Sequence, residues 1–273
     1  MEDVFRATWV VAYRELLRFI QERTRLFSSF AMPLVFLVIF GAGFNRIIGA
    51  MTPGVNFIQF MYPGVIAMTV LMNSVMSGLS VVWDREFGFL KEILVAPLGR
   101  SGIVLGKAAG SATVAIVQGI VMLVLAPFLG VSLNPLMVIE LIPMLIIISL
   151  SLSGLGVLIA SRMRSQQGFQ IIVQIIIMPL MFLSGVFFPV NNVPTWMAVI
   201  SKINPLTYGV DAIRQLFLSK QIAAMSGAMG QAGNAIGVTV LGHTMTILQD
   251  MLIVTIFGIV LLSIAAWSFS KQE

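Results

Sequence analysis

Residues Leu136–Ala160 read LMVIELIPMLIIISLSLSGLGVLIA, with one charged side chain, Glu140, about one turn from the start. A helix crossing the hydrocarbon of a bilayer needs about 20 mostly apolar residues, so this stretch alone predicts a membrane span. Five comparable runs accompany it: Phe27–Ile48, Phe57–Val82, Ile103–Leu129, Phe169–Phe188 and Met251–Trp267. Arg46 lies close enough to the end of its run to snorkel. Pro33, Pro127, Pro143 and Pro179 fall inside the runs. Neighbouring helices can satisfy the carbonyls that proline frees, so kinks are expected there rather than breaks.

Composition agrees. Of 273 residues, 58% are apolar and 10% charged, against roughly 45–50% and 25% in soluble domains. Mean hydropathy is +1.01. The net charge of +5 does not point to nucleic acid, because the 16 Lys and Arg sit in short clusters between apolar runs and form no contiguous basic face. The chain has no Cys and a single His, His243. With 11 Asp and Glu scattered along the chain, no triad, acid/base pair or metal centre is expected, and the chain is not expected to be an enzyme. Gly102-Ile-Val-Leu-Gly106-Lys107-Ala108 imitates a phosphate-binding loop. It is one residue short, however, and Ala108 replaces the Ser/Thr that would hold magnesium. Gly102/Gly106 and Gly106/Gly110 read better as small-residue pairs for helix packing, as does Ser153-Gly154. Glu2, Asp3, Arg6, Arg14, Glu15 and Arg18 in the first twenty residues leave no room for the apolar core of a cleavable signal peptide.

Lys and Arg divide unevenly between alternate connections. The N-terminal arm, the second and fourth connections and the C-terminus carry twelve; the other connections carry four, namely Arg46, Lys202, Arg214 and Lys220. By the positive-inside rule, both termini are expected in the cytoplasm.

Three segments are not simple spans. In residues 1–26, Val4, Phe5, Thr8, Trp9, Ala12, Leu16, Phe19 and Ile20 recur at helical spacing, opposite Arg14, Arg18, Glu22 and Arg25. An interfacial helix is expected. Residues 83–102 open on the charged knot Asp84-Arg85-Glu86. A short helix should follow, with Phe87, Leu90, Ile93 and Leu94 on one side, ended by Pro97. Its apolar face predicts a docking surface on the cytoplasmic side. In the outer connection, residues 189–246, Pro194–Ile203 and Tyr208–Ser219 are too short to span and too apolar for a free loop, so interfacial or re-entrant helices are predicted. Asp211 and Arg214, at i and i+3, could pair, and Gln221–Gly242 reads as a mobile loop.

Two stretches carry a family resemblance. Asp84-Arg85-Glu86-Phe87-Gly88, continuing to Leu94-Val95-Ala96-Pro97-Leu98, resembles the cytoplasmic coupling segment of type-2 ABC exporter permeases. Gly185, Pro189, Pro194 and Trp196, then Asn204-Pro205-Leu206-Thr207-Tyr208-Gly209-Val210-Asp211-Ala212-Ile213-Arg214, resemble that family's signature after the fifth span. Phe89 departs from it, since many members have a small polar residue there. The resemblance covers essentially the whole chain. It implies one all-α membrane domain over residues 1–273: six transmembrane helices, an N-terminal interfacial helix, a cytoplasmic coupling helix, and short outer re-entrant helices between spans five and six. It also implies two copies of a separate ABC ATPase, which would hold ATP and magnesium, and a second permease copy, most simply a homodimer in a prokaryotic inner (plasma) membrane. The permease itself would need no cofactor. By the same resemblance, cargo moving outward would be a drug, lipid or lipid-linked glycan; scarce intramembrane charge suits such an amphiphile better than an ion. An ion-coupled secondary transporter is the competing reading; it calls for midplane carboxylates and inverted repeats.

The chain lacks Cys, so single cysteines report topology cleanly. Ser226→Cys should label from outside intact cells and Ser101→Cys only after permeabilisation. The reverse pattern contradicts the predicted orientation.

Overall fold

The computed structural model describes residues 2–51, 57–87, 100–131, 133–188, 190, 193–226, 238–240 and 243–270. The chain is mostly helical, because lipid offers no partner for backbone polar groups and a helix satisfies them internally. Helix α1 (Glu2–Gln21) breaks at Glu22 before α2 (Arg23–Met51). Next come α3 (Phe57–Met76) and α4 (Leu79–Glu86), joined through the turn Ser77-Gly78. Helix α5 (Arg100–Leu125) runs into a 3₁₀ turn, Ala126–Leu129. Helix α6 (Pro135–Arg162) starts with Asn134 as N-cap and Pro135 at its first position, where the missing N–H costs nothing. Helix α7 (Gln166–Phe182) is capped by Ser165. Helices α8 (Thr195–Ile203) and α9 (Pro205–Ser226) meet at Asn204. A two-residue hairpin, β1 (Thr239–Val240) with β2 (His243–Thr244), precedes α10 (Ile247–Ser270).

Four segments are long and apolar enough to cross a membrane: Phe57–Glu86, Val104–Leu129, Pro135–Arg162 and Ile247–Ser268. The apolar helical stretches Phe27–Gly43 and Gln166–Phe182 are shorter. Six full-length spans were expected. The fifth run falls short because its helix stops at Phe182, and residues 183–188 form turns around Gly185, whose φ of +80° suits only glycine. The second run is interrupted rather than continuous. At Gly78 a Cβ would lie 2.3 Å from the Gly156 carbonyl oxygen, and at Gly156 one would lie 2.2 Å from that of Val75. Those two glycines let the α3–α4 bend press against α6.

Helix α3 forms the centre of the bundle, packed on α2, α5, α6 and α9, and is buried on nearly all sides. Hydroxyls bind three helices within the apolar interior: Ser74 Oγ donates to Ser149 Oγ at 2.9 Å, and Ser111 Oγ lies 3.0 Å from the same atom. Such bonds glue membrane helices because lipid cannot compete for the groups. Tyr62 donates its hydroxyl to the Met122 carbonyl. Helix α10 packs on α6 and α9 while exposing Leu248, Leu252, Ile256, Ile259 and Ile264. That face suits lipid.

Other expectations are refined. Helix α1 is separate from α2, but the break falls at Glu22 and residues 23–26 of the expected arm belong to α2; α1 packs along α5 instead of resting on lipid alone. A Cβ at Gly106 would lie 2.7 Å from Val11 Cβ, and one at Gly110 would lie 2.8 Å from Glu15 Cβ. The false phosphate loop is therefore the seat of α1. Gly154 likewise admits the backbone of Leu262 at 3.0 Å. The two predicted outer helices exist as α8 and α9, but α9 is largely buried and reaches Ser226, so Gln221–Ser226 is helix and not loop. Residues 227–237 of that predicted loop, and Gly88, Leu90, Ile93, Leu94 and Pro97 of the coupling helix, lie outside the described residues.

Candidate functional site: a charged junction and a buried aspartate cluster

Asp84, Arg85 and Glu86 close α4, and each binds a different part of the bundle. Asp84 Oδ2 receives Lys107 Nζ of α5 at 3.3 Å and lies 3.5 Å from Arg14 Nη2 of α1. Arg85 donates through Nη1 to the carbonyls of Met163 at 2.7 Å and Ser161 at 3.3 Å. Those carbonyls belong to the C-terminal turn of α6, where a helix leaves acceptors unpaired and welcomes a cation. Glu86 Oε2 accepts the Gln166 N–H at 3.0 Å, so a carboxylate sits at the N-terminus of α7, as the helix dipole favours. Three consecutive residues thus hold α1 and α5, α6, and α7.

Lys107 completes the junction. It is 1% exposed, and its ammonium meets Glu15 Oε1 at 3.2 Å, Asp84 Oδ2 and the Ser80 hydroxyl. Three donors find three acceptors, which is what a buried ammonium requires. Burial pushes the Glu15 carboxyl up, but the charge and hydrogen bond of Lys107, with Arg14 behind them, hold it below the ordinary carboxylate value. Arg18 stacks over Trp83 at 4.9 Å and lies 3.6 Å from Glu22. Beside them, between α1, α2 and the α3–α4 bend, lies a cleft of about 330 Å³. Met32, Met68, Met72 and Met76 line it together with Glu15, Arg18, Glu22 and Trp83.

At the opposite end, the signature residues pack inward. Asn204 accepts the Leu206 N–H at 3.0 Å and donates to the Leu180 carbonyl at 2.7 Å, fixing the α8–α9 corner to α7. Pro205 opens α9 at its first position. The Tyr208 hydroxyl donates to Lys202 O at 2.6 Å. Arg214 does not pair directly with Asp211. Its Nη2 donates to Gly185 O at 2.6 Å, and its guanidinium lies 4.1 Å from the Phe60 ring centroid. Asp211 Oδ2 instead accepts the Val238 N–H and Gln215 Nε2, both at 2.9 Å. Gln215 Nε2 also reaches Met245 O and Asp250 Oδ2, each at 3.1 Å. Sequence reasoning passed over Glu15, Lys107, Gln215 and Asp250. The signals available were a glutamate inside the apolar stripe of the arm, a lysine inside the third apolar run, and an aspartate near the start of the last helix. Among the described residues, no group of three or more His, Asp or Glu could hold a metal.

These features define a polytopic helical membrane protein organised around a charged junction at one end of its bundle. Residues 6–218 match the ABC-2 type transporter family, and the chain belongs to it. A protein of Cyanophora paradoxa named as the transport permease ycf38 is 32% identical over 205 residues, covering 73% of this chain and 71% of that protein. Escherichia coli (strain K12) YbhR, named as a multidrug ABC transporter permease, is 35% identical over 173 residues, covering 61% of this chain and 45% of that longer protein. Nodulation protein J of Rhizobium leguminosarum bv. viciae is 28% identical over 200 residues, covering 72% of this chain and 76% of that protein. The chain is accordingly a multi-pass membrane permease of the ABC transporter class.

Breaking a buried ion pair by removing one partner typically costs about 3–5 kcal/mol. Lys107→Met should lower stability by about that amount, because Glu15 and Asp84 then lose their shared partner. Glu15→Gln with Lys107→Met should lose less than the two single losses added together. A carboxyl whose folded value is depressed stabilises above its unfolded value, and that stabilisation is lost as pH falls through the depressed one. Wild type should therefore weaken on acidification more steeply than Glu15→Gln. Thermal unfolding in detergent across pH reads both effects.

Proposed function

We propose that this chain is the membrane subunit of an ATP-driven exporter that moves an amphiphile outward across the plasma membrane. Two copies would pair with two separate ABC ATPases, which bind ATP and magnesium. Six crossings with cytoplasmic termini fit the charge asymmetry, with α2 and α7 counted as the shorter crossings. The observation that carries the reading is the junction at Asp84-Arg85-Glu86. The segment that follows it, residues 88–99, is the part that would dock in an ATPase cleft. Movement there would pull on α1, α5, α6 and α7 together, because one triplet holds all four. ATP drives that movement only by binding the closed ATPase pair better than the open one. The methionine-lined cleft supports an amphiphilic cargo: its wall is apolar and adaptable, and Arg18 with Trp83 offers a polar head its partners. The name of the E. coli relative points toward drugs, one kind of amphiphile.

The buried carboxylates Asp211 and Asp250 favour a second reading, an ion-coupled transporter. Uptake of cargo into inverted vesicles separates the two. Export driven by the ATPase continues when a protonophore is present and stops without ATP; ion-coupled transport does the opposite.

Glu86→Ala and Gly88→Val test the junction itself. Both variants should insert and fold, yet lose coupling between ATP hydrolysis and transport or release the ATPase on copurification. Gly88 would give the ATPase close approach and Pro97 would set the length of the lever. Wild-type ATPase binding and transport in both variants contradict the reading.

A further inference from the structure

The buried aspartate cluster holds more acceptors than donors. Asp211 is 1% exposed and Asp250 0%. Their Oδ2 atoms converge on a single nitrogen, Gln215 Nε2, which also serves the Met245 carbonyl. That amide has two hydrogens for three acceptors. The Val238 N–H adds one donor, to Asp211. The Oδ1 atoms of both aspartates are buried without a hydrogen-bond partner, and both Oδ2 atoms lie within 3.1 Å of the same Gln215 nitrogen, so the two carboxyl groups are close neighbours. Two bare carboxylates gathered on one amide nitrogen repel, and burial removes the water that would otherwise screen their charges. A single hydrogen placed between them turns one into a donor and satisfies both.

We propose that Asp211 and Asp250 form a proton-binding dyad that latches α9 to α10 at the end of the bundle opposite the charged junction. The proton comes from the adjacent aqueous phase: one carboxyl carries it as O–H and donates it to a carboxylate oxygen of the other. No bond other than O–H forms or breaks. Surrounding charges fit one proton. From α9, Arg214 supplies one positive charge near Asp211 without touching it, and Tyr208 stands by as a neutral phenol. Beside the hairpin the titratable group is His243, which is exposed. Helix α3 contributes Tyr62, bound to Met122, and α6 contributes Glu140, exposed to its surroundings. Two carboxyls with one proton and one guanidinium make a neutral buried cluster. Without the proton the cluster is left with a net negative charge, and the contact between α9 and α10 weakens. The proposal rests on this geometry and not on the export reading.

The test uses the full chain in lipid nanodiscs. Infrared difference spectra of wild type at neutral pH should show the carbonyl stretch of a protonated carboxylic acid, fading as pH is raised. Asp250→Asn and Asp211→Asn, which keep shape and supply a permanent N–H donor, should each lose that band. A group that gains its proton on folding stabilises at low pH and loses that contribution as pH rises through its folded value. The melting temperature of wild type should therefore fall as pH rises, and that of Asp250→Asn should stay level over the same range. Absence of the band in wild type, or its persistence in both variants, overturns the dyad. So does a wild type that lacks the band and is stabilised by added sodium or calcium ions when Asp250→Asn is not, since the bridging charge is then a metal cation. The wild-type titration decides the matter even if a variant fails to fold.

Discussion

The Lys107 ammonium is taken out of water, and its position depends on groups from two other segments. Glu15 arrives from the N-terminal arm, and Asp84 and Ser80 from the short helix after the central span. None of these side chains could be buried alone at tolerable cost. Together they fix where α1 lies along α5 and where α4 leaves the bundle. Arg85 and Glu86 extend the same constraint to the ends of α6 and α7, using backbone groups that helix termini leave open. The junction is thus a compact charged knot at the edge of an apolar bundle.

Elsewhere the bundle is held by shape and by hydroxyls. Gly78 and Gly156 let α3, α4 and α6 touch backbone to backbone, and Gly106 and Gly110 do the same for α1 and α5. Ser74, Ser111 and Ser149 replace the hydrophobic drive that helices lack in lipid. The polar contacts at the opposite end hold the α8–α9 corner: Asn204 to α7, Arg214 to the Gly185 turn, Asp211 to the backbone before the hairpin. The bundle therefore carries two polar ends joined by an apolar middle.

Much of this was legible in the sequence. Length and apolarity gave the helices, the amphipathic stripe marked the arm though not its end at Gln21, and proline with glycine placed the α8–α9 corner. What escaped was partnership across distance. Asp211 and Arg214 sit three residues apart and looked like a pair, yet burial turned Arg214 to a carbonyl and an aromatic ring, and Asp211 to Val238 and Gln215. Lys107 looked like loop charge because a lysine near the end of an apolar run usually reaches for water; Glu15, ninety-two positions away, holds it inside. The break at Ser77-Gly78 was hidden because an apolar count does not register which glycine meets another helix. The end of α7 at Phe182 was masked by the apolar residues that continue through the turn.

The central claim is that Asp84-Arg85-Glu86 carries the motion of a docked ATPase into the surrounding helices. The absence of Cys permits spin labels at Tyr13 on α1 and Gln167 on α7 without background. Pulsed electron resonance on the complete complex, with and without bound ATP, should show a distance change between them in the otherwise wild-type protein. The same change should be lost in a variant carrying both Arg85→Ala and Glu86→Ala that still binds the ATPase. An undiminished ATP-dependent change in that variant contradicts the account.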